Sequence, residues 1–208
     1  MIKAPQLYQK YYINREYEQV DLFRLLRDEF GIKSAIYPGS YIHISPSFIL
    51  PKTCYIDSDK NAKKFFKNEN YREYINQRKE YSEATEIQFF GQSYNKLIPD
   101  LVNKFDLLIS QYAGYISKPC KDYLKIGGKL LVNNSHADAG LAYLDDDYKF
   151  IAAVYKSKGK YRISHSSLEE FFIPKKEIKD IREYLIKTGK GLGYKKTAPL
   201  YLFEKIRG

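Results

Sequence analysis

Alternation constrains this chain more than any other feature. Short apolar runs at residues 33–37, 53–57, 86–90, 105–110 and 129–133 have strand length, and the stretches between them carry turn residues and helical periodicity. Val20, Phe23, Leu26 and Phe30 mark a helix over 16–30, and Gly31 stands where its stop belongs. Ala62, Phe65, Phe66, Tyr71, Tyr74 and Ile75 mark another from Asp59 onward, with a break expected around Asn68, Glu69 and Asn70. Shorter helices are expected over 97–103, over 117–124 with Gly127 and Gly128 ending it, and over 135–144. Strands at 150–155 and 200–205 flank a helix begun by Pro174, faced by Ile178, Ile181 and Leu185, and closed by Gly189. Because parallel strands need long, usually helical crossovers, this order predicts an α/β protein. Its sheet is expected to be mostly parallel, with helices on both faces and an antiparallel C-terminal edge. No repeat or linker interrupts residues 1–208, which read as a single domain with a basic helical insertion at about 157–197 before the last strand.

Composition narrows the class. A chain that is 44% hydrophobic folds as a globule, and no apolar run approaches the roughly 20 residues that span a bilayer, so no membrane partner is expected. The opening Met1-Ile2-Lys3-Ala4-Pro5-Gln6 lacks the features of a secretory leader. Two cysteines, Cys54 and Cys120, make no disulfide framework, and a cytoplasmic location is the expectation. Cys54 falls in a predicted strand, where packing is its expected role. The net charge of +10 is unevenly placed: residues 149–208 hold fifteen Lys and Arg against six Asp and Glu, and so supply nine of the ten. Such a field favours a polyanion, nucleic acid included, or an anionic substrate; alternatively lysine only solubilises the surface. From Lys156 to Lys196 the basic residues interleave Tyr155, Tyr161, Phe171, Phe172, Tyr184 and Tyr194. That mixture suits single-stranded nucleic acid, although aromatics at this spacing more often fill a core.

The chemistry is sharpest between Tyr37 and Asp57. In doubly wound sheets a glycine after the first strand lets a ligand approach the backbone, and an acid ending the second, about 20 residues on, accepts hydrogen bonds from ribose hydroxyls. Gly39 and Asp57 have that separation. The full G-x-G-x-x-G pattern is missing, and Pro46 and Pro51 leave little room for a helix directly after the loop. A dinucleotide, and with it a nicotinamide oxidoreductase, is therefore disfavoured.

The ordered set of loops resembles the Rossmann-like class I S-adenosylmethionine-dependent methyltransferase superfamily over roughly residues 16–207. The resemblance rests on Tyr37-Pro38-Gly39-Ser40, Tyr55-Ile56-Asp57-Ser58-Asp59, Gly91-Gln92-Ser93, the run 105–110, and Gly127-Gly128 before the apolar run 129–132. It implies S-adenosyl-L-methionine as cofactor and an unidentified methyl acceptor. Tyr37, Pro38, Gly39 and Ser40 would then lie beside the methionine part, and Asp57 at the ribose with Ser58 and Asp59 nearby. Gln92 and Ser93 would approach the adenine edge, and Ser110 and Gln111 the sulfonium side. Ser110-Gln111-Tyr112 lacks the Pro-Pro motif of members that methylate nucleobase amines, which points away from that reaction.

A second polar cluster, Asn133-Asn134-Ser135-His136-Ala137-Asp138, leaves the fifth strand. An imidazole exchanges protons readily, so His136 could take one from an acceptor, with Asp138 orienting it and Asn133 and Asn134 hydrogen bonding. Equally, Ser135 and Asp138 read as a capping box. Asp57-Ser58-Asp59 could likewise cap the next helix, a role compatible with ribose binding. His43 could face the same cleft or make a structural hydrogen bond, and His165 has no acidic companion. No zinc-like spacing is present. Gly189-Lys190-Gly191-Leu192-Gly193 reads as a flexible turn. The competing function is a cofactor-free module that binds nucleic acid through the basic C-terminal third.

Overall fold

The computed structural model describes residues 3–208, so Met1 and Ile2 of the opening stretch lie outside the described residues. The chain divides between Lys96 and Leu97 into two compact units.

In the first unit a helical turn, α1 (Gln6–Tyr8), continues as a π-helical stretch over Gln9–Ile13 that the sequence does not announce. Helix α2 (Val20–Phe30) begins four residues later than its periodicity suggests, because Glu16 and Gln19 take left-handed φ values of 53° and 59°. Glu18 is thereby freed to accept from the Tyr8 hydroxyl at 2.8 Å and from Arg78. Leu22, Phe23 and Leu26 form the buried face of α2, and Gly31 closes it at φ +65°. Three parallel strands follow: β1 (Ser34–Pro38), β2 (Lys52–Ile56) and β3 (Glu86–Phe90), in the spatial order β3-β2-β1. All five residues of β1 are buried, as expected of a strand covered on both sides. Between β2 and β3 run α3 (Lys60–Lys67) and α4 (Asn70–Arg78), and the predicted break lies between them, where the Asn68 side chain accepts the Asn70 amide at 3.0 Å.

The second unit holds β4 (Phe105–Ser110), β5 (Leu124–Val132), α5 (Asp138–Tyr143), β6 (Tyr148–Ser157), β7 (Lys160–Ser164), α6 (Ile181–Thr188) and β8 (Leu200–Lys205). Strands β4 and β5 are parallel; β8 inserts antiparallel between β5 and β6, and β7 is the edge. The antiparallel edge is as expected, but the last strand of the chain is interior to it.

Three expected helices are corrected. The stretch 97–103 holds only a 3-10 turn at Pro99–Leu101. The stretch 117–124 holds only a 3-10 turn at Lys121–Tyr123, and Pro119 disfavours helical backbone at Lys118 before it. Gly127 and Gly128 end no helix; they kink β5. Gly127 has φ +81°, and a Cβ on Gly128 would lie 2.8 Å from the Lys125 carbonyl. In place of a helix from Pro174, the chain at 173–175 runs extended against 193–195, with Lys175 N donating to the Gly193 carbonyl at 2.9 Å. Helix α6 waits for Asp180, whose carboxylate accepts the Glu183 amide at 2.8 Å, and Gly189 ends it at φ +59°. The stretch 157–197 therefore contains a strand and one helix, and is not wholly helical. Leu185 of α6 packs on Ala137 and Leu141.

Candidate functional site

The first unit gathers its candidates at the carboxyl ends of its parallel strands. Tyr37 pairs with Tyr55 and Pro38 with Ile56, so β1 and β2 finish level. Gly39, at φ +63°, turns the chain immediately beyond and donates its amide to the Ile56 carbonyl at 2.7 Å. One residue on, the Asp57 amide bonds the Phe90 carbonyl at 3.1 Å. Gly39, Asp57 and the end of β3 thus share one rim.

Asp57 is half-buried, and its carboxylate organises that rim. One oxygen accepts the Tyr41 amide at 2.7 Å, and the other accepts the Asp59 amide at 2.8 Å. A carboxylate offers about four acceptor positions, so roughly two remain for hydroxyl donors. Asp59 caps α3, accepting from Asn61 and Ala62 at 2.7 and 3.2 Å. Ser58 and Ser93 are exposed, and Gln92 folds back to donate to the Lys96 carbonyl at 3.0 Å. Tyr37 and Ser40 are buried, the Ser40 carbonyl accepting the His43 amide at 3.0 Å.

Sequence reasoning missed the aromatic wall beside Asp57. Tyr41, left-handed at φ 49°, meets Tyr11 edge-to-face at 5.6 Å, and Arg15 lies 5.1 Å from the Tyr11 ring centre. Tyr11 belongs to a helical stretch that carries no long periodic signal, and only folding brings it to the loop.

His43 does not face a cleft. It is 1% exposed and stacked on Tyr12 at 4.5 Å, with Nε2 2.9 Å from the Glu18 carbonyl and Nδ1 3.3 Å from the Tyr37 hydroxyl. Burial pulls its pKa down to about 4, so the ring stays neutral and ties Tyr37 to Glu18. This is a structural histidine.

In the second unit the carboxyl ends of β4 and β5 carry Ser110, Gln111 and Asn133, all buried, with the Asn133 amide 3.3 Å from the Ser110 carbonyl. Asp138 neither orients His136 nor joins a capping box. It is 1% exposed and accepts from the Ser110 hydroxyl, from Ile116 N at 3.2 Å and from Ser117 N at 3.0 Å. Burial raises its pKa, and those hydrogen bonds oppose the rise. Asp138 thus fastens the loop after β4, while Ala137, at φ 66°, precedes the first turn of α5. His136 is exposed. Ser135 instead turns back on Asn133, donating its hydroxyl at 2.7 Å and its amide at 3.2 Å to Asn133 Oδ1. Asn133 Nδ2 is left buried with no partner among the described residues, as is Asn134 Oδ1. Asn134 Nδ2 donates to the Leu192 carbonyl at 3.2 Å, and a Cβ on Gly191 would stand 2.1 Å from the Asn134 backbone carbonyl. The 189–193 turn is therefore clamped onto the end of β5, which its glycines alone did not indicate. Both cysteines are free and buried, and among the described residues no group of His, Cys, Asp and Glu could hold a metal ion. No described helix is long and apolar enough to cross a membrane.

No protein-family model matches the sequence, and no curated protein matches it significantly. Solved structures do. The N-methyltransferase NodS from Bradyrhizobium japonicum, in complex with S-adenosyl-L-homocysteine, aligns over 98% of this chain and 92% of its own at TM-score 0.52 and 10% identity. A methyltransferase from Geobacter sulfurreducens aligns over 77% and 91% at TM-score 0.51 and 10% identity. The chain has the class I methyltransferase fold. A Methanococcus maripaludis protein, provisionally named an S-adenosyl-L-methionine-dependent methyltransferase, matches over 62% of this chain and 60% of its own at TM-score 0.45 and 18% identity. Within the methyltransferase fold the carboxyl rims described above are where ligands are expected.

Proposed function

We propose that the chain, acting as one methyltransferase-like domain, is an S-adenosyl-L-methionine-dependent methyltransferase whose acceptor is unidentified. The observation that carries this reading is the Asp57 carboxylate: it sits level with the Gly39 turn and keeps acceptor positions beyond the two its neighbours use. A ribose diol fits such an acceptor, so the rim residues suit the cofactor on their own chemistry. The cofactor, when bound, supplies an electrophilic methyl group.

In this reading Asp57 accepts the ribose hydroxyls, and the Tyr37-Pro38-Gly39-Ser40 turn brings backbone close to the ligand. Ser58, Asp59, Gln92 and Ser93 line the first unit's rim. Ser110 and Gln111, which the resemblance assigns to the sulfonium side, are buried in the second unit, where Ser110 gives its hydroxyl proton to Asp138. Asn133 and Asn134 offer an unspent donor and an unspent acceptor for positioning an acceptor molecule, and exposed His136 is the group that could take its proton. His43 is assigned no step.

Calorimetric titration with S-adenosyl-L-methionine tests the proposal. Saturable heat with wild type, and about tenfold or greater weakening in Asp57→Asn, are expected, since a hydrogen bond to a charged acceptor contributes about 1.5–3 kcal/mol. No heat and no thermal shift at millimolar ligand overturns it.

A further inference from the structure

The hairpin of β6 and β7 concentrates cations that no carboxylate among the described residues pairs. Its ladder pairs Tyr155 with Arg162, Lys156 with Tyr161 and Ser157 with Lys160. Pairing across antiparallel strands puts Tyr155, Ser157, Lys160 and Arg162 on one face, and Lys156 and Tyr161 on the other. The turn is Lys158-Gly159, both left-handed at φ 49° and 80°, the geometry of a type I′ hairpin. Asparagine usually takes the first of those positions, yet a fourth cation occupies it here. Among the described residues, none of Lys156, Lys158, Lys160 and Arg162 is paired with a carboxylate, whereas Lys121, Lys129 and Lys196 all are.

Aromatic surface accompanies the charge. Lys156 Nζ lies 5.3 Å from the Tyr161 ring centre, and Tyr155, Arg162, Ile163 and Ser164 line an open pocket of about 380 Å³. By contrast Phe171, Phe172 and Tyr194, which the sequence grouped with them, are buried core. The hairpin also stands clear. Strand β8 starts at Leu200 opposite Val154, so Tyr155–Ser157 run on past it, roughly 10 Å at 3.3 Å per residue. They do so in the direction of β5, whose carboxyl end bears Asn133.

The geometry points to the β6–β7 hairpin as a grip for single-stranded nucleic acid. Lys160 and Arg162 on the face of Tyr155, with Lys158 at the turn, meet phosphates, and a base stacks on Tyr155 in the pocket beside Arg162; Lys156, on the opposite face, adds only to the field. Spaced cations with a stacking face are what a flexible polyanion of planar bases needs. This goes beyond the proposed reaction and holds whether or not the cofactor binds.

Fluorescence anisotropy without cofactor tests it, using a short labelled single-stranded RNA, the equivalent DNA, and a duplex of the same sequence. Wild type is expected to bind the single strands more tightly than the duplex, with affinity falling steeply in salt. The quadruple substitution Lys156→Gln, Lys158→Gln, Lys160→Gln and Arg162→Gln should weaken binding more than about tenfold. It should also flatten the slope of log K against log salt by about 2, at about 0.7 for each of the three phosphate contacts. Tyr155→Ala should cost about tenfold with the salt slope unchanged. A Lys175→Gln, Lys176→Gln control, exposed but off the hairpin, should bind as wild type does. Absent binding, a preference for the duplex, or equal losses in quadruple variant and control would each overturn the inference. The RNA and DNA arms identify which strand is held.

Discussion

His43 shows how one side chain can carry a site's chemistry in sequence and none of it in the fold. Its ring is sealed among Tyr12, Tyr17, Phe23 and Tyr37, and burial lowers its pKa to about 4 against an unfolded value of 6.5. The unfolded chain then binds the proton more tightly, so stability from this group is full above pH 6.5 and lost as pH falls toward 4. The loss amounts to about 3 kcal/mol at 1.36 kcal/mol per pKa unit. Urea denaturation from pH 7 to pH 4 should show His43→Gln losing correspondingly less than wild type. The raised pKa of Asp138 acts in the opposite sense, which is why the two proteins are compared at each pH. Asp138→Ala would orphan the Ile116 and Ser117 amides and the Ser110 hydroxyl. It should destabilise by about 3 kcal/mol or more, since each buried unpaired group costs about 1–3 kcal/mol.

At the scale of elements, caps and clamps decide where each segment stops. Asp59 and Asp180 start their helices by accepting backbone amides, and both are short polar residues directly before a periodic run. Asp59 was legible in the sequence for that reason. Asp180 was masked by Pro174, a valid helix opener that strand-like contacts to 193–195 overrule. Similarly, Ser135 and Asp138 have capping-box spacing, but the demand of three buried donors for one carboxylate outweighs a local cap. The clamp of the 189–193 turn onto Asn134 predicts that Gly191→Ala is costly. Its Cβ would overlap the Asn134 carbonyl, and overpacking of this kind costs about 1–3 kcal/mol, readable as a lower denaturation midpoint. Lys158→Asn should do the reverse, raising stability modestly, because asparagine tolerates the left-handed turn better than lysine.

For the whole molecule, a fold like that of NodS over 98% of the chain at 10% identity means that one topology is built here from almost entirely different side chains. Ligand binding should therefore be read globally as well as locally. S-adenosyl-L-methionine at 100 times its dissociation constant stabilises a folded state by about 2.7 kcal/mol, which for a chain of this size raises Tm by roughly 5–10 °C. Differential scanning fluorimetry would show that shift in wild type and a smaller one in Asp57→Asn at the same concentration.

The sequence by itself determined the α/β order, the strand cores, the Gly39–Asp57 spacing and the basic bias of the last sixty residues. Periodicity, caps and charge are local properties, written within a few residues of where they act. Only the tertiary structure decided that Tyr11 stands by Tyr41, that Asp138 serves the loop after β4, and that the final strand slips between β5 and β6. Those outcomes join residues tens of positions apart, where burial and hydrogen-bond demand outweigh local preference, and no short window of sequence holds both partners.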